Sequence, residues 1–264
     1  LQGDRIQGLV VENKSGRGLL TAACIVDATG DADLLHRAGA ATAEGLNWLS
    51  YWGHLFSLPE LRKAVETGNE KRINEILLFT LGADNAGRGQ PPGAPRFRGV
   101  DGAEVSRFVL AGRRLLREKL AREHAAGLDR RTHFPELLPA MAQFRTTRRI
   151  LGRESLGPGQ HDTRFETSIG LTGDWRKAGP IWEIPYGALV PRGVSGMLAA
   201  GRCIDSADDA WEVLRVIPPA ALTGQIAGMA AWLALERGTT PNQLGADVIQ
   251  AELRKRGMPY HIED

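Results

Sequence analysis

The stretch LAAGRCIDSADDAWEVLRVIPPAALTGQIAGMAAWLAL, residues 198–235, decides the reading of this chain. An apolar run stops on Gly201-Arg202, a polar and acidic stretch follows, and Pro218-Pro219 opens a nearly uncharged helix. Proline suits the first turn of a helix, because the N–H it lacks would have no intrahelical partner there. The next residues, Ala220, Ala221 and Leu222, are expected to present free backbone N–H groups and the positive end of the helix dipole to a ligand. Gly224 and Gly228, four apart, give a face that permits close packing.

A second strand end reads the same way. IVDATGDAD, residues 25–33, is an apolar run closed by small residues and glycine. Without a Cβ, a strand end lets a ligand approach the backbone, and open α/β sheets bind ligands at the carboxyl ends of their strands. Two such ends suggest one extended ligand touching both. An uncharged helix start aimed at a developing negative charge suits a flavin.

Outward from these anchors, Ile6 to Glu12 reads as a strand, Lys14 to Gly18 as a turn, and Leu19 to Ala28 as a second strand buried on both faces. Asp31 to Gly39 reads as a short helix. From Gly45 the character changes. Helices are expected over Pro59–Leu81, with a break at Gly68, over Ala103–Ala126, and over Glu136–Leu151. Residues 82–102, rich in glycine, proline and arginine, read as a loop. Strands return at Ile181–Ile184, Gly187–Val190 and Gly196–Ala200.

Composition sets the outer limits. The chain has 264 residues, enough for a sizeable core, and a formal net charge of only +2. That balance argues against general nucleic-acid binding. Arginine outnumbers lysine and clusters locally, which suits discrete phosphate or carboxylate groups. The two cysteines, Cys24 and Cys203, read as buried free thiols of a reducing, cytoplasmic compartment. No Cys/His spacing matches a metal site, and no apolar run reaches the ~20 residues of a membrane span.

VDATGDADLLHRAGA together with LVPRGVSGMLAAGRCIDSADDAWEVLRVIPPAALTGQIAGMAA resembles the FAD-dependent oxidoreductases of the glutathione-reductase and fumarate-reductase-like superfamily. The order of motifs carries it: strand-ATGD, then FRTTRRILG, IPYGALVP, AAGR, and a proline-led last helix. The resemblance covers about residues 6–43 and 144–235 and leaves the middle unmatched.

It implies an α/β fold, part of a Rossmann-like FAD-binding domain, with a mainly helical inserted cap. Residues 1–44 and 151–238 would form the FAD domain, 45–150 the cap and 239–264 a helical tail. It implies FAD as cofactor. Ala28, Thr29 and Gly30 would line its dinucleotide part. Gly201 and Arg202 would lie beside the ribityl-pyrophosphate, with Asp205 as the nearest acid for ribityl hydroxyls. Ala220, Ala221 and Leu222 would face the flavin pyrimidine. Arg215 would meet a substrate anion, and Arg145, Arg148 and Arg149 would reach substrate or cofactor.

The superfamily opens on a GxGxxG turn, and none stands before Ile6. The expectation is a longer enzyme, or a separate subunit carrying that turn. The implied reaction is hydride transfer between flavin and a small, anionic or otherwise unidentified substrate. An electron-transfer subunit of a redox complex and a cofactor-free structural subunit are the alternatives, and an oligomer is compatible with each.

Overall fold

The expected hairpin forms at the start of the chain. β1 (Gly8–Asn13) and β2 (Gly16–Thr21) pair antiparallel, with Gly8 opposite Thr21 and Asn13 opposite Gly16. The run expected as one strand from Leu19 to Ala28 breaks at Ala22–Cys24, and β3 covers only Ile25–Asp27. The two halves have different partners: β2 lies exposed against β1, whereas β3 joins the core. The computed structural model describes Leu1–Asp264. It divides into two units: Leu1–Gly45 with Arg148–Asp264, and Leu46–Thr147.

The first unit continues with α1 (Asp33–Arg37) and β4 (Thr42–Glu44). In the second unit, β5 (Ser50–Ser57) leads into α2 (Leu58–Glu66), α3 (Ile73–Ile76), β6 (Leu78–Gly82), α4 (Gly102–Ala125) and β7 (His133–Leu137). Its three strands form an antiparallel sheet in the order β6-β5-β7. α4 packs on that sheet, with Gly112 against the Tyr51 ring and Phe108 between Phe97 and Phe144.

The insert is therefore organised by a sheet, and the expected helical cap needs correcting in two places. Of the helix read over Pro59–Leu81 with a break at Gly68, α2 and α3 form on either side of that break, and only the last segment differs, as β6 hydrogen-bonded to β5. The helix read over Glu136–Leu151 does not form. That stretch ends β7 and, after a loop, supplies β8 (Arg148–Ile150), which pairs with β4 of the other segment of the first unit.

The first unit then adds β9 (Ser168–Gly173), β10 (Ile181–Pro185), β11 (Met197–Ala199), α5 (Asp208–Leu214), α6 (Ile217–Glu236) and α7 (Ala246–Lys255). The strand expected over Gly187–Val190 is absent; Tyr186–Ala188 make a single 3-10 turn. β11 runs parallel to β3, with Met197 opposite Ile25 and Ala199 opposite Asp27. Trp182, Leu198, Ile204 and Ile226 lie fully buried in the core around this pair. Tertiary burial favours α6: Thr223, Ile226, Ala227, Ala230 and Ala234 recur at helical spacing and are buried.

Both thiols are free. Burial pushes Cys24 up to about 11 and Cys203 up to about 12, so both stay protonated and unreactive at neutral pH. No single helix is long and apolar enough to cross a membrane.

The β9–β10 connection carries a pH-dependent contact. Asp174 accepts two hydrogen bonds from the Arg176 guanidinium, at 2.9 and 2.7 Å. That pairing outweighs the cost of burial and holds the Asp174 carboxyl down at about 2. A depressed carboxyl stabilises the fold above its unfolded pKa and loses that contribution as pH falls through the folded value. Thermal melts of Asp174→Asn and the parent are expected to differ at pH 6 and to converge as pH falls from about 4 towards 2. A difference that stays constant over that window would show that the charge contributes nothing.

Candidate functional site

β3 and β11 run in the same direction and end side by side. The Ala200 N–H donates to the Asp27 carbonyl at 3.0 Å, so Ala28-Thr29-Gly30 and Gly201-Arg202 leave the sheet together. Both glycines take left-handed φ, +81° at Gly30 and +76° at Gly201, which a side chain would strain. The start of α6 closes on the same place. Gly201 N–H donates to Thr223 Oγ1 at 2.9 Å, and that hydroxyl donates to the Pro219 carbonyl at 2.8 Å. A Cβ on Gly201 would stand 3.8 Å from the Ala220 methyl. Gly30, Gly201 and Ala220 thus come together, as the sequence reading requires of a shared site.

A buried acid builds the turn. Asp27 is fully buried and accepts from Thr29 N–H at 3.0 Å, Thr29 O–H at 2.7 Å and Leu35 N–H at 2.9 Å. Thr29 Oγ1 in turn accepts from Asp33 N–H at 3.1 Å. Ala32, at the N-cap of α1, offers no side-chain oxygen, so Asp27 and Thr29 cap the helix from outside it.

Arg202 lies across Gly30: a Cβ there would sit 2.7 Å from its guanidinium carbon. It is fixed by Asp31 through bonds of 2.9 and 3.3 Å. Apart from Arg202, the surface of Ala28, Thr29, Gly30, Gly201, Ala220 and Ala221 carries nothing larger than a threonine. Ala28, Thr29 and Ala221 are exposed and Gly201, Arg202 and Ala220 half-buried, while Gly30 is buried beneath the Arg202 guanidinium. Small side chains at Ala28, Thr29, Gly201, Ala220 and Ala221 leave the backbone there open to close approach, whereas Arg202 covers Gly30.

Several expected roles change. The N–H groups at the start of α6 are not free at Ala220, whose N–H already donates to the Val216 carbonyl at 3.1 Å. Helix numbering begins at Ile217, so two of the first three positions are prolines with no donor, and only the dipole and the Ile217 N–H remain. Leu222 packs over Gly170 of β9, with its Cδ2 2.7 Å from where a Cβ would lie. Asp205, expected near ribityl hydroxyls, is 3 % exposed and points into the protein. It accepts from Gly152 N–H at 2.7 Å and Ser155 O–H at 2.8 Å and pairs with Arg149.

The other arginines are also engaged. Arg215 donates twice to Glu212, at 3.0 and 2.5 Å, and lies over the Trp175 ring. Arg148 pairs with Asp33 at 3.1 Å and stands 3.8 Å from Glu44. Arg145, in the second unit, donates to Ser50 Oγ at 3.1 Å. Arg148, Arg149, Arg202 and Arg215 are therefore charge-paired within the first unit, and the anion-receiving role expected of Arg148, Arg149 and Arg215 lacks a free cation there.

Asp27, Asp31 and Thr223 do the positioning, and the sequence reading passed over all three. The DATGD spacing held the signal for the first two, since a capping acid and a capping threonine precede the helix. Nothing local marks Thr223.

No curated protein and no solved structure matches the chain. A family model does, over residues 1–76 and 119–253, and so reaches into the middle that the motif reading left unmatched. With the match spanning most of the chain and both strand ends, this chain belongs to the FAD dependent oxidoreductase family, whose members bind FAD.

Proposed function

We propose that the first unit is part of a Rossmann-like FAD-binding domain and that the whole protein transfers hydride between flavin and a small substrate. The observation that carries this reading is the meeting of two parallel strand ends and the start of α6 at one small-residue surface. Ala28, Thr29, Gly30, Gly201, Arg202, Ala220 and Ala221 would hold the cofactor, which supplies the two-electron acceptor when bound. The chain's own part is positional: Asp27 and Thr29 fix the first turn, Thr223 ties the second to α6, and the α6 dipole favours negative charge at its N-terminus. Because Arg148, Arg149 and Arg215 are ion-paired, an anionic substrate has no support from those three, and a small uncharged substrate fits equally well.

The same reading extends to a missing piece. β3 has β11 as its one strand neighbour, although parallel strands are usually found inside larger covered sheets. α6 is nearly uncharged, and Ala221, Gly224, Gly228, Trp232 and Leu235 are exposed along one face, with Gln225 beside them. We infer that polypeptide outside Leu1–Asp264, on the same chain or a second subunit, adds a strand beside β3 and completes the cofactor site.

The test is flavin content of the whole protein, as purified with whatever completes it, by visible absorbance. Ala221→Trp places a bulky ring on the exposed start of α6 without backbone strain, and flavin retention should fall at least ~10-fold while the melting curve of the flavin-free protein is unchanged. Full flavin content in that variant would remove this surface from the cofactor site.

A further inference from the structure

The second unit contains a cavity of about 360 Å³ with mixed apolar and polar walls. Leu55, Leu77, Phe79, Leu81 and Leu128 belong to its apolar lining. Glu60 and Thr80 also line it, and a chain of four residues, Ser57, His133, Glu123 and Lys119, forms one polar side. Pockets of this size, with few and well-placed polar groups, are the usual form of a small-molecule site.

Ser57 is the unusual member. It stands at the N-cap of α2, where a serine ordinarily accepts a hydrogen bond from the first turn, yet it makes no capping bond. Pro59, in that first turn, has no N–H to offer. Ser57 instead lies opposite His133 in the β5–β7 register, with Oγ 3.1 Å from His133 Nδ1. The other ring nitrogen, Nε2, is 3.0 Å from Glu123 Oε2, and Lys119 pairs with the second oxygen of Glu123. Ser57 and His133 are both buried, at 3 % and 5 % exposure.

The protons of this chain can be assigned. Burial pushes the Glu123 carboxyl up, but hydrogen bonds from Lys119 and His133 outweigh it, and the group stays below the usual carboxylate range. Glu123 is therefore an acceptor, and Nε2 carries the proton that it accepts. With that one proton on the ring, Nδ1 is bare and accepts the Ser57 O–H. The Ser57 oxygen is left with acceptor capacity and no remaining donor. Lys119 is already neutralised, and Glu60 and Glu123 add negative charge at the wall.

We propose that this cavity is a binding site for a small uncharged aryl or alkyl alcohol, whose hydroxyl donates to Ser57 Oγ while its apolar body fills the leucine-lined space. A carboxylate is excluded, because it offers no donor to Ser57 and meets two acids. The site is independent of the flavin reading, since it lies wholly within Leu46–Thr147 and is assayed by binding alone.

The test is fluorine NMR of the whole protein with para-fluorophenol, para-fluoroanisole and para-fluorobenzoate. The phenol should bind saturably and roughly tenfold more tightly than the anisole, which keeps the ring and oxygen but carries a methyl in place of the donor hydrogen. The benzoate should not compete. Ser57→Ala should erase the preference for phenol over anisole. Leu128→Trp, which adds bulk from the cavity wall and keeps all four polar side chains, should block both ligands, and it keeps the test decisive if Ser57→Ala does not fold. Equal affinity for phenol and anisole, no saturable binding, or binding unchanged by Leu128→Trp would each overturn the proposal and leave the Ser57–His133–Glu123 chain as a brace between β5, β7 and α4.

Discussion

Asp205→Ala is expected to destabilise the first unit by about 4 kcal/mol, read as a shift in the denaturant midpoint of flavin-free protein. The size follows from what the carboxylate leaves behind. Arg149, whose side chain is only 15 % exposed, loses its ion-pair partner, and a buried charge stripped of its counter-ion costs about 3–5 kcal/mol. Gly152 N–H, buried and bonded at 2.7 Å, loses its acceptor as well. Set against a typical domain stability of about 5–15 kcal/mol, that loss is close to unfolding. Asp205→Asn should cost roughly half as much, since an amide oxygen can still serve Gly152 while the charge on Arg149 goes unanswered.

The pair also distinguishes two roles for Asp205. If it served a cofactor, flavin affinity would fall in both variants and flavin-free stability would hardly move. The contacts to Gly152, Ser155 and Arg149 require the opposite. Adding Arg149→Leu to Asp205→Ala should recover a large part of the loss, because the unpaired charge is gone. An additive double variant would break the link between the two residues.

This acid marks where the sequence stops being legible. The stretch 198–235 could be read because its information is local: small residues close a strand, two prolines can only start a helix, and the α6 core positions repeat at helical spacing. Asp205 lies within that stretch, but its partner Arg149 lies on β8, and β8 itself exists only because β4 pairs with it. A strand formed by such distant pairing leaves no periodic trace, so FRTTRRILG was read as a helix. The same holds for β6. Leu78–Gly82 is a short apolar run that suits helix or strand equally, and the edge of β5 decides it. His133 carries no local signal for the same reason, since the partners of its ring, Ser57 and Glu123, come from other elements.

Asp27→Ala should have an effect nearly as large, and on function as well as stability. Asp27 is a fully buried carboxylate with no cation beside it, an arrangement that is costly unless hydrogen bonds satisfy the charge. Here three donors do so, two from Thr29 and one from Leu35. Alanine relieves the burial of the charge but leaves Leu35 N–H without an acceptor and Thr29 untethered, for a net loss of about 3 kcal/mol. Asparagine keeps an oxygen for Leu35 and can donate to Thr29 Oγ1, but its amide faces the Thr29 N–H donor, so it should fall in between, at roughly 1–2 kcal/mol. The tether also sets the path of Gly30, over which Arg202 lies. Flavin content of the whole protein should therefore drop further in Asp27→Ala than in a variant of equal stability loss placed elsewhere in the core, such as Ile249→Ala, whose side chain is fully buried. Equal flavin content in those two variants would show that Asp27 acts on folding alone and that the Ala28–Gly30 turn does not contact the cofactor.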